Sequence, residues 1–88
     1  MDNKQKAVLT AAAHHLKPVV MVGHKGLTPN VVAETDQALT AHELIKVKIS
    51  SEDKEERVAI AREICEQLNA TLIKIIGNIA IIYRKNVG

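Results

Sequence analysis

The chain of 88 residues has one tyrosine and neither phenylalanine nor tryptophan. It offers no ring surface on which to stack a row of bases. That excludes the single-strand readers that work through aromatic platforms. Its core must be filled with Ile, Val, Leu and Ala. The one cysteine, Cys65, excludes an internal disulfide and a cysteine-rich zinc finger. No run approaches ~18 consecutive apolar residues, so no membrane span is expected. Met1-Asp2-Asn3-Lys4-Gln5 has no apolar stretch behind it, so no secretory leader is expected, and a reduced cytoplasmic setting is the default expectation. At this length one domain over residues 1–88 is expected, burying a little over ~60% of its unfolded surface.

Net charge is only +2, but it is unevenly spread. Six acids fall between residues 51 and 70. Lys4, Lys6, Lys17 and Lys25 face a single acid in the first 26 residues, and Lys74, Arg84 and Lys85 face none after residue 70. A small net charge of this kind can hide a basic face; ordinary solvated surface is the other reading.

The pattern predicts seven elements. Residues 3–16 read as a helix with Asp2 and Gln5 at capping-box spacing and an apolar face of Val8, Leu9, Ala12 and Leu16. Lys17-Pro18 ends it. Val19 to Val22 is a buried strand, followed by the turn Gly23-His24-Lys25-Gly26. Thr28-Pro29 opens a second helix as N-cap and first helical residue, and Leu27 and Val32 have staple spacing. Its face is Val31, Val32, Thr35, Ala38, Leu39 and His42. Leu44 to Ile49 alternates, with Ile45, Val47 and Ile49 on one face and Leu44, Lys46 and Lys48 on the other. Ser51 to Leu68 is a third helix with a second capping box at Asp53 and Glu56, and a stripe of Val58, Ala61, Cys65 and Leu68 beside Ile64. Gly77-Asn78 joins Thr71–Ile76 to Ile79–Arg84 in a tight hairpin. The order αβαβαββ implies a four-stranded mixed sheet packed with three helices, a two-layer sandwich of the α+β type.

Gly23 to Gly26 is the strongest candidate for chemistry. Glycine lets a backbone approach a phosphate closely, and the positive end of the following helix lies beside it. Lys25 and His24 add donors. Any short strand-to-helix turn also favours glycine, and neither the Walker loop nor the dinucleotide fingerprint is present. Lys46 and Lys48 form a second candidate; lysines on an edge strand also guard it against pairing with other chains. Catalysis finds no support. His14, His15, His24 and His42 lack metal-ligand spacing, and Cys65 falls on an apolar helix stripe. Glu52, Asp53, Glu55 and Glu56 read as a solvated helix start. No enzyme, metal site or cofactor is expected.

Three motifs occur in order. They are Val22-Gly23-His24-Lys25-Gly26-Leu27-Thr28, His42-Glu43-Leu44-Ile45-Lys46-Val47-Lys48, and Ile76-Gly77-Asn78 ahead of Tyr83-Arg84. Together they resemble the CRM domain, for chloroplast RNA splicing and ribosome maturation, in its bacterial stand-alone YhbY form. The resemblance covers essentially the whole chain, although Asn78 stands where a basic residue is common. It implies a fold similar to the C-terminal domain of translation initiation factor three. It also implies an RNA-contacting Gly-x-x-Gly loop, functionally comparable with that of KH domains, and association with precursors of the large ribosomal subunit. On this reading the partner is structured RNA, with large-subunit ribosomal RNA in pre-ribosomal particles expected. No DNA specificity and no membrane partner are expected, and the chain acts as a monomer. The residues expected on the RNA are Gly23, His24, Lys25, Gly26, Lys46, Lys48, Arg84 and Lys85, with Lys4, Lys6 and Lys17 as weaker candidates. The competing reading is a protein-binding adaptor whose acidic third helix docks on a ribosomal protein, with RNA contact incidental.

Overall fold

In the computed structural model, which describes residues 1–86, the elements follow the expected order. They are α1 (Asn3–Ala13), β1 (Pro18–Val22), α2 (Pro29–His42), β2 (Leu44–Ile49), α3 (Lys54–Leu68), β3 (Thr71–Ile76) and β4 (Ile79–Tyr83). Residues 87 and 88 of the expected domain lie outside the described residues.

The sheet runs β1-β2-β4-β3. β1 is parallel to β2, and β4 is antiparallel to both β2 and β3. This is the expected mixed sheet. The α3 crossover carries the chain past one strand position, and the hairpin then folds β4 back into that gap.

Alternation divides the sheet into two faces. Val20, Val22, Ile45, Val47, Ile49, Ala80 and Ile82 point to one side and pack on Leu39 of α2 and Ala61, Ile64 and Cys65 of α3. Ile73 and Ile81 point to the other side and pack on Ala13, with Leu9, Leu44 and Tyr83 around them. The two-layer arrangement therefore describes α2, α3 and the sheet, while α1 adds a partial third layer.

The first helix departs from its sequence reading in length and in face. The capping box forms as expected: the Gln5 amide donates to Asp2 Oδ1 at 2.8 Å and the Asp2 amide to Gln5 Oε1 at 3.3 Å. But α1 stops at Ala13, because the His14 and Leu16 amides turn back to Ala11 and Ala13 carbonyls and aim the chain at Pro18. Its buried side is Leu9 and Ala13, four residues apart; Val8 and Leu16 are exposed. Ala13 carries almost no side chain, so the helix sits close against Ile73 and Ile81.

The second helix begins as expected, with Thr28 Oγ1 accepting from the Val31 amide at 3.2 Å and Pro29 at the first position. The third starts later than expected, at Lys54. Asp53 caps it by accepting from the Glu55 amide, and Ser51 Oγ, in place of Glu56, accepts from the Asp53 amide. The second capping box therefore does not form. Asn69 ends α3 in the left-handed region at φ 55°. Between α2 and β2 the chain turns at Glu43, with φ 63° and ψ −46°.

Candidate functional site

The Gly23–Gly26 turn is built from both sides. The Ser50 amide donates to the Val22 carbonyl at 2.9 Å, which fixes the end of β1 to the strand beside it. The Gly26 amide then donates to the Gly23 carbonyl at 3.0 Å and closes a four-residue turn with His24 and Lys25 at its tip. His24 and Lys25 are exposed.

The two glycines differ in why they are glycine. Gly26 has φ +71°, a conformation costly for any side chain. Gly23 has no such φ, and a Cβ there would meet nothing within 4 Å. Neither backbone conformation nor internal packing requires glycine at position 23.

Other groups gather at this end of the sheet. The Ile49 amide donates to the Asn78 carbonyl at 2.7 Å. Arg57 Nε donates to the Gly77 carbonyl at 3.1 Å and its Nη1 to the Ser51 carbonyl at 2.6 Å, tying the hairpin tip to the start of α3. Gly77 takes φ +59° at the first position of that two-residue turn. Gly23, His24, Lys48 and Asn78 line one shallow depression with Glu52, Asp53 and Glu56. The acids occupy its α3 wall, so the positive side of the turn is the one facing Lys48.

Lys46 and Lys48 stand on β2, which is paired on both sides. They do not guard an edge. They share the sheet face opposite α2 and α3, and both are half-buried. Ile75 packs into the α2–α3 core, so alternation turns Lys74 to the Lys46 side. Lys74 is exposed and in register with Ile81, which is itself paired with Lys46. The sequence hid this lysine because β3 carries a bulge between Leu72 and Lys74 that breaks the simple alternation.

Arg84 is placed elsewhere. Its guanidinium points into the α2–α3 layer, where Nη1 donates to Asp36 Oδ1 at 2.7 Å and to the Leu68 carbonyl at 3.1 Å. Nη2 donates to the Asp36 carbonyl at 3.1 Å and to Thr40 Oγ1 at 3.0 Å. Arg84 follows the end of β4 that pairs with Leu44, the end of the sheet away from the glycine turn. It fastens the last strand and is not brought to the turn. Lys85 shares that far end with Thr40, Asn69 and Asn86, and Lys17 precedes the start of β1 at the same end. Lys4 is exposed and Lys6 half-buried on α1, which packs on the sheet face that carries Lys46 and Lys48. Among the described residues the ion pair found is Arg84–Asp36, so the lysines of this face carry no carboxylate partner.

Cys65 is buried in the core, and burial pushes its thiol up to about 11. Among the described residues no group of three or more His, Cys, Asp or Glu could hold a metal ion, and no helix is long and apolar enough to cross a membrane.

The family profile described as the CRS1 / YhbY (CRM) domain matches residues 1–84. A probable RNA-binding protein of Pseudomonas aeruginosa is 43% identical over 86 residues, covering 98% of this chain and 83% of its own. An RNA-binding protein of Haemophilus influenzae is 45% identical over 84 residues, covering 96% and 85%. The solution structure of a hypothetical Staphylococcus aureus protein, described as a candidate RNA-binding protein, superposes with a TM-score of 0.89 at 28% identity. It covers 100% of this chain and 92% of its own.

Proposed function

The chain belongs to the CRS1 / YhbY (CRM) domain family, and on that premise we propose that it binds RNA, specifically structured ribosomal RNA of the large subunit during subunit assembly. The observation that carries the site is Gly23, the glycine that opens a fixed, exposed turn and has no internal reason to be glycine. A backbone left bare there admits the close approach of a phosphate.

In this mechanism the turn cradles the RNA backbone through its peptide groups, with Lys25 and His24 beside it. Lys48 and Lys46 extend the contact onto the sheet face, and Lys4 and Lys6 border it from α1. Arg84 takes no part, because both of its terminal nitrogens already donate to Asp36, Thr40 and the Leu68 carbonyl at the far end of the sheet. The acids of the α3 start repel phosphate and direct the RNA to the sheet side of the turn. Affinity comes mainly from phosphate neutralisation, so it falls steeply with salt. Discrimination comes from RNA shape, since the chain has no aromatic platform.

Ultraviolet crosslinking in cells, followed by mapping of the crosslinked nucleotides, tests this reading. It predicts recovery of a confined large-subunit ribosomal RNA site, lost in a Lys25→Ala/Lys48→Ala variant. Retention of the variant on ribosomal particles after nuclease treatment would instead favour docking of the acidic α3 on a ribosomal protein.

A further inference from the structure

The turn leaves half of one sheet face unexplained. α1 covers only the end of that face around Leu44 and Tyr83. At the other end a row of side chains crosses all four strands: Met21 pairs with Lys48, Lys48 with Ile79, and Ile79 with Ile76. Met21 is 60% exposed and Ile76 50%. Strands lie about 4.8 Å apart, so the row is about 14 Å wide. Lys46 and Lys74 stand one step nearer α1, on either side of Ile81.

Single exposed apolar residues are ordinary on a protein surface. Here they are contiguous, have an ammonium among them and two more at their border, and begin two residues before Gly23. A ligand must meet both characters. Paired RNA turns phosphates and sugars outward and keeps its base faces stacked inside, so it offers the lysines partners but leaves Met21, Ile76 and Ile79 against polar groups. Unpaired nucleotides offer base faces and phosphates together. The polarisable thioether of Met21 suits a base face.

We propose that the open end of this sheet face holds unpaired nucleotides of the RNA whose backbone the glycine turn grips. Bases lie on Met21, Ile79 and Ile76, and phosphates reach Lys48, Lys46 and Lys74. The proposal rests on the RNA reading above. Aliphatic contacts do not distinguish one base from another, so this surface reads whether a nucleotide is unpaired, not which base it carries.

Two labelled RNA hairpins test it, identical except that one carries an unpaired 3′ tail, with binding followed by fluorescence anisotropy across a potassium chloride series. The wild-type chain binds the tailed hairpin more tightly. A Met21→Ser/Ile76→Ser variant, altered at two exposed positions, loses severalfold on the tailed hairpin and nothing on the blunt one. Lys74→Gln lowers the salt slope on the tailed hairpin by about 0.7. Equal wild-type affinity for both hairpins, or sheet variants that leave the tailed one unchanged, overturns the proposal. If Lys25→Gln weakens both hairpins while the sheet variants weaken neither, the turn stands and the sheet platform falls. If the wild-type chain binds neither, both readings fall. Capture of poly-glutamate by wild type but not by the sheet variants, with no contribution from the tail, assigns the face to an acidic protein and overturns the proposal.

Discussion

Arg84 donates to Asp36 across 2.7 Å, and this contact removes the last arginine from the basic surface. The Arg84 side chain is 19% exposed and also holds the carbonyls of Asp36 and Leu68. Asp36 is 52% exposed, so the ion pair itself is largely screened and the carbonyl contacts carry more weight. Arg84→Ala is expected to cost about 2 kcal/mol in urea unfolding, and Asp36→Asn less than about 1 kcal/mol. Neither changes RNA affinity at temperatures where the chain stays folded.

The two glycines of the turn separate stability from binding. Gly26→Ala forces a side chain into φ +71° and is expected to cost about 1 kcal/mol. Gly23→Ala meets no atom, so its stability stays within about 0.5 kcal/mol of wild type. Its RNA affinity is nevertheless expected to fall, because on the proposed reading the added methyl would hold the phosphate off the backbone. Denaturation and anisotropy on the same samples check the pair.

The packing of α1 is tested by two neighbouring faces. Val8 is 64% exposed, so Val8→Ser should change stability by no more than about 0.5 kcal/mol. Ala13 is fully buried against Ile73 and Ile81, so Ala13→Leu overpacks the contact and is expected to cost about 2 kcal/mol.

Cys65 gives an alkaline signature. Its thiol is raised from 9.0 to about 11 by burial. The unfolded chain therefore releases that proton first, so the contribution to stability is full below pH 9.0 and is lost as pH rises toward about 11. Between pH 7 and 10 the wild type should lose about 1 kcal/mol more than Cys65→Ala. Unfolding at the two pH values measures the difference.

The element order, the mixed sheet and the glycine turn were legible in the sequence because local signals agreed: the Asp2 and Thr28 caps, the Pro29 start, the alternation of β2 and the Gly77 hairpin. Three features depended on contacts between distant residues. The buried side of α1 is set by the sheet face it meets, and its weak periodicity favoured Val8 and Leu16 over Ala13. The alternative of Lys46 and Lys48 as edge guards fails because β4 pairs beside β2, a placement that only the α3 crossover determines. Arg84 read as a surface cation because its partners, Asp36 and Leu68, are remote in sequence. Lys74 was hidden by a bulge.

In the proposed mode of binding, RNA is held by phosphate contacts at the glycine turn and the lysines beside it. The direct measurement is the slope of log affinity against log salt for wild type, Lys25→Gln and Lys48→Gln on one large-subunit ribosomal RNA fragment. A steep wild-type slope is expected, flattening by about 0.7 to 0.9 for each lysine removed, with Arg62→Gln on the exposed side of α3 unchanged. Equal slopes in all four proteins would contradict it.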